Sequence, residues 1–160
     1  WEGAATKVEE VGVRTVYLRS GIVLTATGGA LGKMLLPFQF GAGGPIGGGR
    51  QWMSWISLDD EIYAIHHLLM SQGSSGAYNL TAPNPERQKG FARALGRVLR
   101  RPAIAPIPRF MIKTIFGEMG VSLTLESQKV IPNRLISEGY EFLHPELEPA
   151  LRDTLGIWKG

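Results

Sequence analysis

Between Gly41 and Gly49 the chain reads Gly-Ala-Gly-Gly-Pro-Ile-Gly-Gly-Gly, with six glycines and one proline. Backbone of this kind reaches positive φ and lets another group approach closely, but it loses much entropy when ordered. Such a run must sit between regular elements and must have something to close on. It leads into Arg50, Trp52 and Trp55, a guanidinium fork and two flat amphipathic rings suited to an anionic or ring-bearing small molecule. Ser57 then stands where it can cap a helix, with Asp60 three residues on able to reach back as in a capping box. The pattern predicts loop, short strand, capped helix.

On the N-terminal side, Trp1, Ala4, Ala5, Val8 and Val11 recur at helical spacing, and Gly12 supplies a stop. Val13–Arg19 is β-branched and aromatic enough for a strand, and Ile22–Leu24 is a further apolar run. Ala30–Phe40 predicts a helix with Leu31, Met34, Leu35 and Phe38 inward, bent or ended near Pro37. Beyond the loop, Leu58–Ser71 repeats the helical period through Leu58, Ile62, Ile65 and Leu69. Ala77–Thr81 is a second strand candidate. Asn84 and Pro85 punctuate the start of another helix, with Phe91, Leu95 and Val98 inward and Arg87, Lys89, Arg93, Arg97, Arg100 and Arg101 on its other face. Phe110–Phe116 reads as a helix and Ser122–Leu125 is ambiguous. Pro132 opens a short helix ending at Gly139, Tyr140–Phe142 is extended, and Glu146–Leu155 closes as a helix. This alternation is that of an α/β fold.

Composition bounds the function class. In 160 residues, 44% are hydrophobic and 19% charged, which suits one globular core. No run reaches the roughly 18 apolar residues of a membrane span, and the first residues show no signal-peptide pattern. With no cysteine there is no disulfide framework or thiolate metal site, and a cytoplasmic address is expected, or an organellar one if a targeting segment lies upstream. The net charge of +3 favours small anions mildly and does not by itself argue for nucleic acid. His66 and His67 are adjacent on a helix and face different ways, so with His144 they offer no metal-ligand spacing, and no metal is expected. Asp59 and Asp60 read as caps and helix-dipole partners rather than acids. Of the alternating Trp52 and Trp55, Trp55 is expected inside.

A set of linked motifs then carries a resemblance: Leu18-Arg19-Ser20-Gly21-Ile22-Val23-Leu24, Gly28-Gly29-Ala30-Leu31-Gly32-Lys33-Met34, Gly43-Gly44-Pro45-Ile46-Gly47, Arg50-Gln51, Trp55-Ile56, Asp59-Asp60 and Asn79-Leu80-Thr81-Ala82-Pro83. With Gly117-Glu118-Met119, Gln128–Pro132, Glu138-Gly139-Tyr140 and Pro145–Leu151, these resemble the C-terminal half of NAD(P)-dependent epimerase-like proteins. That group belongs to the extended short-chain dehydrogenase/reductase class, in the branch ending in a small domain of previously unknown function.

The resemblance implies the C-terminal portion of a Rossmann-like parallel sheet, from about residues 1–24 and 53–82, with a small, mostly helical cap from 25–52 and 83–160. It implies a substrate-side half whose NADP or NAD is held largely by the N-terminal half of the intact protein, since no glycine-rich strand-to-helix turn and no catalytic serine or tyrosine-lysine pair is recognised here. Ser20, Gly21, Ile22 and Val23 correspond to the segment near the nicotinamide end of the cofactor. Arg50, Gln51, Trp52 and Lys33 are the implied substrate contacts, for a small anionic or sugar-nucleotide-like molecule. Where the class has an arginine, this chain has Met53, so Arg50 must take over if a diphosphate is to be gripped. The chain alone is expected to be inactive, to bind no nicotinamide cofactor measurably and to self-associate through Val16, Leu18, Ile22 and Leu24. The competing reading is a non-catalytic module whose basic helix, Arg87–Arg101, meets an acidic partner or nucleic acid; the absence of interleaved aromatics makes nucleic acid the weaker case.

Overall fold

A computed structural model describes residues 9–107 and 127–157. The helix expected at Phe110–Phe116, the ambiguous Ser122–Leu125, Gly117–Met119 and most of Trp1–Val11 lie outside these residues. In chain order the elements are β1 (Val16–Ser20), β2 (Ile22–Leu24), α1 (Gly29–Gln39), β3 (Trp52–Met53), β4 (Trp55–Ser57), α2 (Leu58–Met70), β5 (Gly76–Leu80), β6 (Glu86–Arg87), α3 (Gln88–Leu99), α4 (Asn133–Ser137) and α5 (Leu147–Thr154). The fold is α/β, with β1 parallel to β5, β2 parallel to β4 and β3 antiparallel to β6.

β1 and β2 are one extended run that changes partner at Gly21. Gly21 donates its N–H to the Leu80 carbonyl at 2.9 Å, and Ile22 donates to that of Ser54 at 2.8 Å. A Cβ on Gly21 would lie 2.5 Å from the Ser54 oxygen and 2.9 Å from Thr81 Cγ2, so only glycine fits where the two pairings diverge. The crossover from β4 through α2 to β5 returns the chain parallel, as a βαβ unit must. Arg14 fastens the C-terminal end of that helix to the start of β1, donating to the carbonyls of Leu68, Leu69 and Ser74 at 2.9–3.0 Å.

Two apolar clusters hold these elements. The larger joins Leu24, Leu31, Met34, Phe38 and Trp55 to Phe91, Leu95, Leu147 and Leu151, so α1, α3 and α5 pack together over β2 and β4. The smaller gathers Ile56, Ala64, Leu68, Tyr78, Leu80 and Leu135. Trp55 is fully buried and its indole N–H donates to the Asn84 carbonyl at 3.1 Å, as an inward tryptophan requires. Pro37 lies within α1 without ending it before Gln39.

Two expectations are corrected, and the face that α2 buries is now fixed. α3 starts at Gln88 rather than after Asn84 and Pro85, because Glu86 and Arg87 pair with Met53 and Trp52 as a short strand. Asn84 instead donates its side-chain amide to the Pro145 carbonyl and to Glu146 Oε1. Leu24 is fully buried, whereas Leu18 is 42% exposed and Val16 and Ile22 are half-buried, so the unprotected apolar surface excludes Leu24. In α2 the periodic face of Leu58, Ile62, Ile65 and Leu69 points outward, and Asp60, Glu61, Ala64 and Leu68 are the residues that face inward. No helix among the described residues is long and apolar enough to cross a membrane.

Candidate functional site

At Gly21 the β1–β5 pairing ends, at Ser20 and Leu80, and the β2–β4 pairing begins, at Ile22 and Trp55, so the backbone on either side of it changes neighbours. Ser54 and Thr81 flank it. The Ser54 hydroxyl donates to the Gln128 carbonyl at 2.8 Å and accepts the Val130 N–H at 2.9 Å, and Thr81 donates to the Val130 carbonyl at 3.4 Å. Trp52 N–H donates to Ser127 Oγ at 3.0 Å. Residues 127–130 are thereby strapped beside the strand ends, and they bring Lys129 with them. None of these long-range bonds has a local sequence signal.

Trp52 is half-buried and is the centre of a basic cluster. The Arg87 guanidinium stands 3.9 Å from its ring centroid and Lys129 Nζ 4.8 Å, both within cation–π range. Arg87 also donates to the backbone carbonyl of Arg50. Lys89 is tied in by its backbone, whose N–H donates to the Gly49 carbonyl at 3.0 Å. Arg50, Arg87, Lys89 and Lys129 are exposed, and none pairs with a carboxylate among the described residues. Arg87 and Lys129, two unneutralised cations on one ring, with Arg50 and Lys89 near in the chain, give the positive potential that an anion needs.

The glycine loop serves this cluster as a scaffold. Gly43 packs on the Phe38 ring and Gly44 on the Ala105 backbone, both too closely for a side chain, and Gly49, at φ +63°, approaches Lys89 Cβ. Gln88 Oε1 accepts the Ile46 N–H at 2.8 Å, Gln88 N–H donates to the Gln51 carbonyl at 2.9 Å, and Gln51 Nε2 donates to the Ile46 carbonyl at 3.0 Å. Freedom to fold over a ligand, which the composition suggested, is spent on packing inside the protein.

The segment expected near a cofactor is contiguous with this cluster through Ser54. Gly21, Ile22 and Val23 are half-buried and Ser20 is exposed. Ser20 Oγ donates to Glu61 Oε1 at 2.5 Å, and Glu61, itself only 9% exposed, has its other oxygen buried without a partner among the described residues. Burial raises the Glu61 pKa, opposed by the bond from Ser20. Arg50, Gln51 and Trp52 lie together as consecutive residues, but only Trp52 and the Arg50 carbonyl meet the cations directly. Lys33 is exposed on α1 and makes no hydrogen bond or ion pair among the described residues, so nothing ties it to the cluster. Sequence reading missed Lys129, Ser54, Thr81 and Glu61, and it assigned Arg87 to the outer face of a helix. A basic residue at the end of a two-residue strand facing a tryptophan was the one signal available for Arg87.

Asp60 is a structural acceptor. Its carboxylate takes the Ser57 hydroxyl at 2.8 Å, the Leu143 and His144 N–H groups at 2.7 and 2.9 Å, and the Tyr140 hydroxyl at 3.1 Å, while Ser57 Oγ caps the Asp60 N–H. Burial and this carboxylate push the Tyr140 phenol far above its ordinary value, so it remains a proton donor. His67 packs edge-on against Tyr140, with ring centroids 5.6 Å apart, and His66 is exposed, in keeping with structural and surface roles.

Residues 107–154 match the family model described as a domain of unknown function, DUF1731. The epimerase family protein YfhF of Bacillus subtilis is 42% identical over 155 residues, which is 97% of this chain and 50% of that protein. Among solved structures, human epimerase family protein SDR39U1 with NADPH aligns at a TM-score of 0.83 and 39% identity, covering 95% of this chain and 54% of that one. A nucleoside-diphosphate sugar epimerase from Corynebacterium glutamicum aligns at 0.73 and 27%, covering 98% and 29%. The chain spans about half the length of the curated relatives it matches.

Proposed function

We propose, on the premise that this chain is an epimerase-like protein of the extended short-chain dehydrogenase/reductase type, that it is the substrate-side half of an NAD(P)-dependent epimerase or reductase acting on a sugar-nucleotide-like anion. The observation that carries the reading is the basic cluster on Trp52, two residues before Ser54, whose carbonyl accepts the Ile22 N–H beside the partner switch at Gly21. Arg87 and Lys129 supply charge to a diphosphate where the usual arginine is replaced by Met53, and Arg50 adds a third cation beside them. The human neighbour's structure contains NADPH, and the resemblance puts the backbone from Ser20 to Val23 near the nicotinamide end of such a cofactor; the missing side chain of Gly21 is needed for the close approach of Ser54 and Thr81. The cofactor supplies hydride transfer when bound. The residues of this chain orient the substrate: the strap at 127–130 carries Lys129 to the Trp52 ring, and Glu61 accepts the Ser20 hydroxyl at the end of β1.

Calorimetric titration with UDP-glucose tests the substrate half of the proposal. Arg87→Ala and Lys129→Ala are each expected to weaken binding by about 1.5–3 kcal/mol, the scale of a lost hydrogen bond to a charged group. Arg50→Ala is expected to behave likewise. Arg97→Ala, which removes an exposed pair with Glu148 at 2.9 Å, should cost less than about 1 kcal/mol. Equal losses across the set would count against the site.

A second reading rests on a separate feature. Arg93, Arg97, Arg100 and Arg101 line an open cavity of about 360 Å³ at the C-terminal end of α3 with Ile104, a surface suited to an acidic partner. It is weakened because Arg97 is already paired with Glu148. Retention on an acidic polymer that persists to physiological salt would favour it, since non-specific charge contacts fade steeply with salt.

A further inference from the structure

The turn after Tyr140 brings together three side chains that the strand-end site does not use. Asp59, in the first turn of α2, His144 and Asp153, in the last turn of α5, each direct one ligand-type atom into a common space, all within 4.8 Å of one another. His144 is aimed there by its own backbone, because its N–H is held by the saturated Asp60 carboxylate. Its Nε2 is buried and has no hydrogen-bond partner among the described residues, although Asp153 Oδ2 lies only 3.3 Å away. Without a metal the two groups make a close contact of ion-pair type, and its spacing is also that of two ligands of one ion. Two ligands of a tetrahedral metal, each at about 2.0–2.1 Å, stand about 3.3–3.4 Å apart.

We propose that His144 Nε2, Asp153 and Asp59 form a divalent-metal site of zinc type. An imidazole nitrogen beside two carboxylates suits zinc and disfavours calcium and magnesium, which take oxygen sets. Two carboxylates offset the ion's two charges. The C-terminal end of α5 favours a cation and the N-terminal end of α2 opposes it, so the helix dipoles leave the balance to the ligands. Asp59, which is exposed, closes on the ion by turning its side chain, and water completes the shell. The bound ion would pin the start of α2, the 140–144 turn and the end of α5 to one another, a staple well separated in role from the substrate site.

Chelator-treated 160-residue chain, titrated with zinc chloride by calorimetry and with cobalt(II) by visible absorption, tests the site. One equivalent should bind, with a tetrahedral cobalt spectrum and a thermal midpoint that rises with zinc. His144→Ala and Asp153→Asn should each weaken binding by tenfold or more and abolish the rise, with Asp59→Asn weaker in effect. Should His144→Ala fail to fold, Asp153→Asn, which keeps size and shape, decides. Absence of saturable binding, or unchanged affinity in Asp153→Asn and His144→Ala, would overturn the proposal by leaving zinc to His66 and His67 or to nothing.

Discussion

Glu61 holds a buried carboxyl oxygen without a hydrogen-bond partner among the described residues, beside a serine whose hydroxyl it orients. Because burial raises its folded pKa above the unfolded value, the protonated form is favoured in the folded chain. Its contribution to stability is therefore full below the ordinary carboxylate pKa of 4.5 and is lost as pH rises through the raised folded value. Denaturant melts of wild type and Glu61→Gln across pH 4 to 8 should show the wild type losing ground to the variant as pH rises; a constant difference would place the charge cost elsewhere. Glu138 runs the other way. Hydrogen bonds from Tyr78 at 2.5 Å and Ser74 at 2.7 Å, with Arg134 nearby, hold its carboxyl below the usual range, so its contribution fades only as pH falls. Comparison with Glu61→Gln separates the two. Single residues such as Trp55 inside and Ser57 as a cap were legible from alternation and spacing. Glu61 was not, since a glutamate in the first turn of a helix is ordinarily a dipole partner facing water, and only the fold sets Ser20 against it.

Among elements, α1 and α2 were legible to within a residue or two because their apolar periodicity is strong and glycine or serine marks their ends. The side of α2 that faces inward was not, because periodicity reports an apolar stripe without saying what covers it. Its outward stripe leaves Ile62 54%, Leu69 67% and Met70 67% exposed, next to a shallow groove lined by Val16, Leu18 and Ile65. Contiguous apolar surface of this kind marks an interaction face. We expect this face to be the surface through which the 160-residue chain self-associates. Sedimentation of the 160-residue chain should show concentration-dependent association that Ile62→Lys with Leu69→Lys reduces without lowering the melting midpoint. Association unchanged in that variant would move the sticky surface elsewhere. The start of α3 was misread for a related reason: Asn84 and Pro85 look like helix punctuation locally, but β3 recruits Glu86 and Arg87 first.

Across the whole molecule, the α/β class followed from alternation, whereas the run from Ser20 to Val23, expected after a strand end, joins the end of β1 to the start of β2, and the site's cations came from three separate places in the chain. Arg50 leaves the loop, Arg87 ends β6 and Lys129 arrives on the strap, up to 79 residues apart by their numbers, and no spacing rule links them. With most pyrophosphate contacts in this class made by a glycine-rich turn at a helix N-terminus, the 160 residues alone should show no measurable calorimetric binding of NADPH or NADH. Micromolar binding would put the cofactor site within them. The central claim is that the strand ends and the Trp52 cluster form one substrate crevice. Backbone amide NMR of the 160-residue chain on addition of UDP-glucose tests it most directly. Saturating shifts are expected at Gly21, Trp52, Ser54, Arg87 and Lys129 together; shifts confined to Arg93–Ile104, or none at all, would contradict a shared crevice.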